Sequence, residues 1–120
     1  MLLSPELNYT VNEFEGFKVL DLSGALTIIS YDNLITVVHN LTERESLIVD
    51  MKGIDFLTTS GINALSEISR YARARGNRVI LVNTNADLMD LINYVDCYSR
   101  FIFAESLEEA KTKIEYYTEY

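Results

Sequence analysis

The 120-residue chain has one cysteine, Cys97, and one histidine, His39. A lone thiol closes no internal disulfide, and one cysteine with one histidine falls short of a zinc ligand set. Both are read as core or surface positions. No apolar run approaches the ~20 residues of a membrane-crossing helix, and the stretch from Met1 to Pro5 lacks the basic and apolar regions of a secretory leader. Membrane insertion is therefore not expected, and the expected location is cytoplasmic. Cys-x-x-Cys, Gly-x-Gly-x-x-Gly, a phosphate loop and Gly-x-Ser-x-Gly are all missing. No nucleophile with its base is recognisable, so neither catalysis nor a cofactor is expected. Basic residues are few: 10 Lys and Arg against 18 Asp and Glu leave a net charge of −8. That balance repels a phosphate backbone and points to protein partners rather than nucleic acid. No repeat, low-complexity segment or linker divides the chain, whose length suits a single domain over 1–120.

The chain is organised around Ser46 to Leu65. Leu47, Ile48 and Val49 form a short continuous apolar run ending at Asp50, the pattern of a parallel strand covered on both faces. Lys52 and Gly53 break the run, and the spacing of Ile54 and Phe56 points both into a core. Thr58, Thr59 and Ser60 then place three hydroxyls in a row before Gly61. From there Ile62, Leu65, Ile68 and Ala72 recur at helical steps. A hydroxyl at that helix start has two uses: it can cap free backbone N–H groups, or carry an anionic group that the positive helix end favours. A phosphate there would add a charge of about −1.5 to −2, enough to reverse the complementarity of a binding surface. Thr59 and Ser60 fit plain caps equally well on spacing alone.

Ahead of this stretch, Asn8 to Phe14 and Lys18 to Leu22 read as a hairpin turning at Glu15-Gly16, with Ser23-Gly24 as its end. Leu34, Val37, Val38 and Leu41 mark a helix. After it, Gly76 sits where a left-handed cap stops the Ser60 helix. Arg78 to Val82 is a second short apolar strand, and Asn83-Thr84-Asn85 a polar loop. Asp87 lies in the first turn of a helix burying Leu88, Leu91, Ile92 and Val95. Phe101 to Phe103 is a last strand. Ser106-Leu107-Glu108-Glu109 is a capping box for a closing helix with Leu107, Ala110, Ile114 and Tyr117 on its buried face, while Tyr116 and Tyr120 are expected outside. Glu109 is spaced to pair with Lys113. Arg70, Arg73, Arg75 and Arg78 gather at the end of the Ser60 helix, where its dipole suffices to explain them. The alternation implies an α/β fold: a mainly parallel sheet of about five strands with about four helices and right-handed crossovers. Its ligand edge would collect Gly24, Asp50 to Ser60 and Asn83 to Asn85. A receiver domain would share the alternation, with Asp50 at a strand end. It needs an acidic pair after the first strand and a lysine after the last, and both are missing.

Asp50-Met51-Lys52-Gly53-Ile54-Asp55-Phe56-Leu57, followed by Thr58-Thr59-Ser60-Gly61-Ile62 and Leu65, resembles the signature of the STAS domain family, the anti-sigma factor antagonists and the cytoplasmic domains of sulphate transporters. The resemblance runs from about Val19 to Ile114. It implies a STAS-like fold and makes Ser60, the serine before the glycine, the residue phosphorylated by a partner kinase, with Thr59 and Thr58 as alternative acceptors. The implied partner-binding face comprises Thr27, Thr58, Thr59, Ser60, Gly61, Ile62, Asn63 and Asn85, drawing on the Gly61 to Arg75 helix and the loop after Val82. The implied partners are an anti-sigma factor with serine kinase activity and a phosphatase, with a second copy of the chain as a further candidate. Two departures stand out: Thr58 and Thr27 occupy positions where the family carries aspartates, the second in Gly24-Ala25-Leu26-Thr27. They favour an alternative of a different kind, a constitutive STAS scaffold in a signalling assembly, or a cytoplasmic subunit of a transporter, with the docking face but no switch.

Overall fold

The two continuous apolar runs lie side by side. In the computed structural model, which describes residues 7–95 and 100–118, β3 (Leu47–Leu57) and β4 (Val79–Val82) pair in parallel from Leu47 opposite Val79 to Asp50 opposite Val82. Around them stand β1 (Leu7–Phe14), β2 (Phe17–Leu26) and β5 (Ile102–Ala104), in sheet order β1-β2-β3-β4-β5. Only β1 runs antiparallel, joined to β2 through Glu15 and Gly16, both at positive φ. The helices are α1 (Tyr31–Thr42), α2 (Thr59–Ala74), α3 (Ala86–Tyr94) and α4 (Leu107–Thr118). This is the expected mainly parallel α/β sheet. No helix among the described residues is long and apolar enough to cross a membrane.

Side-chain alternation explains the apolar runs. Leu20, Leu47, Val49 and Leu81 point to one face and pack with Leu34 and Val38 of α1, Ile62, Leu65 and Ile68 of α2, and Leu88 and Ile92 of α3. Val19, Ile48, Ile80 and Val82 point to the other, where α4 contributes Ala110 and Ile114. With a helix on each face, β4 has no position left for a polar residue. Helix ends follow local chemistry. Gly76, at φ +82, closes α2 with its N–H on Arg73 O at 3.0 Å, and Asn77 N reaches Ala72 O at 2.9 Å. Ser106 accepts from Glu109 N at 3.1 Å, and Glu109 pairs with Lys113 at 3.1 Å.

The structure corrects several sequence expectations. Neither Ser23-Gly24 nor Lys52-Gly53 ends its strand; β2 runs to Leu26 and β3 to Leu57. Between Asp21/Asp50 and Ser23/Gly53, and again between Gly24/Ile54 and Ala25/Phe56, β3 advances one residue more than β2. Each extra residue is a bulge that turns the following side chains over. Met51, Ile54 and Leu57 therefore all face the core, and Phe56 is 52% exposed. Asp50 holds the first bulge: its Oδ1 accepts from Lys52 N at 2.9 Å and from Asn83 Nδ2 at 3.1 Å. Tyr117, expected inside, is exposed and stands edge-on to Tyr116. Leu91 and Val95 are half-buried beside the core rather than in it. Cys97 and Tyr120 lie outside the described residues.

His39 meets α2 instead of the sheet. Its ring stacks on Tyr71 at 3.6 Å between centroids, and the Arg75 guanidinium lies 3.6 Å from the Tyr71 ring centre. Burial, then the Arg75 charge, lowers the His39 pKa from 6.5. The unfolded chain therefore binds a proton at His39 more readily than the folded one, so the contribution is complete above about pH 6.5 and lost as pH falls below it.

Two measurements check these points. In urea titrations Ile54→Ala should cost about 2–5 kcal/mol, and Phe56→Ser less than about 0.5 kcal/mol; the reverse ranking would put Phe56 in the core. Wild type should lose more stability than His39→Phe between pH 7.5 and pH 5.5, and equal losses would remove the titration from His39.

Candidate functional site

Leu26 and Leu57 are register partners at the ends of β2 and β3, so the turns that follow leave the sheet side by side. On the β2 side, Thr27 opens a 3-10 turn, Ile28–Ser30. Its hydroxyl accepts from Ile29 N at 3.2 Å and its carbonyl from Ser30 N at 3.1 Å, while Ser30 Oγ donates to Ala25 O at 2.9 Å. Thr27 is half-buried; Ile29 is 83% exposed.

On the β3 side, Thr58 is extended (φ −105, ψ 165) and caps α2, its Oγ1 accepting from Gly61 N at 3.1 Å. The Thr58 N–H donates to Leu26 O at 3.2 Å, fastening the helix start to β2. Gly61 packs on the same carbonyl: a Cβ there would lie 2.9 Å from the Leu26 carbonyl carbon and closer still to its oxygen. Only glycine lets α2 approach that strand. The capping hydroxyl is thus Thr58, not Thr59 or Ser60. Those two take the first and second helical positions, both exposed.

The eight expected face residues therefore sort by role. Thr59, Ser60 and Asn63 present surface, and Thr27 and Thr58 are half-buried. Gly61 is buried and Ile62 is 0% exposed; they seat the helix and offer a partner no side chain. Asn85, exposed at the end of the loop after β4, caps α3 by accepting from Leu88 N at 2.9 Å. None of the eight is ionisable, and the first turn of α2 has no acidic residue. Among the described residues no group of three or more His, Cys, Asp or Glu could hold a metal ion. Sequence reading missed Ile29 and Phe56, exposed apolar side chains at this end of β2 and β3. Ile29 lies in a single 3-10 turn too short for periodicity to show, and Phe56 was hidden by the bulge before it.

Gly61→Ala should destabilise by about 1–3 kcal/mol through the backbone it meets, and Thr58→Val by about 1 kcal/mol through the lost cap, with Thr58→Ser close to wild type. Equilibrium denaturation decides both; a neutral Gly61→Ala would mean that α2 does not rest on Leu26.

The STAS domain family model matches residues 8–110. No curated protein matches the sequence. Among solved structures, an anti-sigma factor antagonist from Mycobacterium paratuberculosis is 16% identical, with a TM-score of 0.74 over 92% of this chain and 95% of its own. The anti-sigma factor antagonist SpoIIAA, unphosphorylated, is 16% identical with a TM-score of 0.71 over 90% and 96%, and its Bacillus phosphorylated form gives 0.64. The murine solute carrier 26 family member A9 anion transporter is 18% identical with a TM-score of 0.72, matching 94% of this chain, which spans 22% of the transporter's length. These likenesses are of fold. With the family model covering most of its length, the chain belongs to the STAS domain family.

Proposed function

We propose that this STAS domain is a binding module of the anti-sigma factor antagonist type, docking a partner anti-sigma kinase at the start of α2 and released when that kinase phosphorylates Ser60. The observation that carries the proposal is the division of labour among three hydroxyls: Thr58 caps the helix, leaving Ser60 exposed at its second position. The Thr58 hydroxyl is half-buried and engaged by Gly61 N, whereas that of Ser60 is open to a kinase. Phosphate on Ser60 would lie near the positive end of α2, with no acidic side chain in that turn to oppose it. The fold would tolerate the charge; the docked partner would not. An uncompensated charge in a desolvated interface costs about 3–5 kcal/mol. Because the eight face residues are neutral, a phosphate of about −1.5 to −2 would be the largest charge among them. The neighbouring SpoIIAA has been solved in both unphosphorylated and phosphorylated forms, in keeping with such a switch on this fold. The domain acts by binding, not catalysis.

A second reading rests on Thr27 and Thr58, threonines where the family has aspartates, and on the likeness to the anion transporter. In it the domain is a constitutive scaffold, or a subunit on a transporter, that uses the same face without phosphorylation.

Affinity capture from native lysate with wild type, Ser60→Ala and Ser60→Asp as baits separates the two. The switch predicts an ATP-binding anti-sigma kinase held by wild type and Ser60→Ala and lost, by about 30-fold or more, with Ser60→Asp. Partners retained equally by all three baits would make Ser60 part of a constitutive surface.

A further inference from the structure

Along the exposed flank of α2 runs a groove of about 590 Å³ that starts at Asn63 and ends at Arg73, with Arg100, ahead of β5, on its other side. Among the described residues Arg70, Arg73 and Arg100 line it, against one acidic residue, Glu67. In a chain of net charge −8, this is a local reversal of sign. The α2 dipole accounts for little of it: Arg73 alone lies in the last turn, and Arg100 is not on the helix. Nor does internal pairing, since the ion pairs among the described residues join Lys18, Lys111 and Lys113 to glutamates. The other arginines of the cluster are engaged elsewhere, Arg75 on the Tyr71 ring and Arg78 on the Asn77 carbonyl at 2.9 Å. Ser69 also lines the groove.

We propose that this groove, which adjoins the face at the α2 start and shares Asn63 with it, is a docking site that takes an acidic segment of a protein partner as an extended peptide and holds its carboxylates with Arg70, Arg73 and Arg100. The planar guanidinium fork matches a carboxylate with two parallel hydrogen bonds. From Asn63 to Arg73 the helix rises ~15 Å, the span of about four or five extended residues at ~3.3 Å each. That length exceeds a single phosphate, and the overall negative charge of the chain repels a long polyanion. The site requires no modification of Ser60, and it stands whether or not the Ser60 switch does.

The test uses the full chain and a fluorescein-labelled hexaglutamate peptide at low salt, read by anisotropy and by amide NMR shifts. The expected result is saturable binding with shifts confined to the groove. The double charge reversal Arg70→Glu/Arg100→Glu should weaken it about tenfold or more, while Arg44→Glu on another surface leaves it within about twofold. Ser60→Asp should bind the peptide as wild type does, which separates this site from the switch. No saturable binding, shifts elsewhere, or an equal loss with Arg44→Glu would overturn the proposal. So would displacement of the peptide by inorganic phosphate or oligouridylate at equal or lower concentration, which would assign the groove to a small anion or to RNA.

Discussion

The Leu26 carbonyl serves two elements at once. It ends β2, yet it accepts the Thr58 N–H at 3.2 Å and forms the surface on which Gly61 rests. α2 is thereby fixed to a strand remote in sequence as well as to β3, which precedes it directly. Ile62, one residue on, is wholly inside the core. Ser60 lies between an anchored cap and an anchored glycine, so its position is set by backbone and by its neighbours. The fold asks nothing of its hydroxyl, and a residue with no structural duty is one whose chemistry can change without disturbing the domain.

Much of this was legible in the residues. The runs Leu47 to Val49 and Val79 to Val82 read as parallel strands because a strand covered on both faces has no polar side. Gly76 and Ser106–Glu109 announced their helix ends because a left-handed residue and a capping hydroxyl each leave a local signature. The site was harder. Reading Phe56 as inward beside Ile54 assumed a constant period of two, and two bulges in β3 break that period. A bulge is set by pairing with another strand, here by Asp50 clamping Lys52 N and Asn83, and leaves no local pattern. Likewise three adjacent hydroxyls are equivalent as sequence; the Leu26 carbonyl singles out Thr58 as the cap.

Charge is distributed unevenly over the fold. Carboxylates give the chain its net −8, yet the eight residues around the α2 start are neutral and the groove along the flank of the same helix is lined by three arginines, two of them on the helix. One helix thus presents an uncharged tip, a cationic side and, toward α1, the Tyr71 ring stacked on His39 of that helix. Surfaces so different in polarity suit contacts that are made and released separately.

The strand order β1-β2-β3-β4-β5 repeats the order of the chain. Each strand pairs with the one before it, so no strand waits for a partner still to be made. Such a sheet can grow from its first hairpin outward during synthesis, each crossover helix settling on one face before the next strand arrives. Only α4, on the opposite face over Ile80 and Val82, must come after the sheet. Until it docks, the growing domain keeps one greasy side open to chaperones.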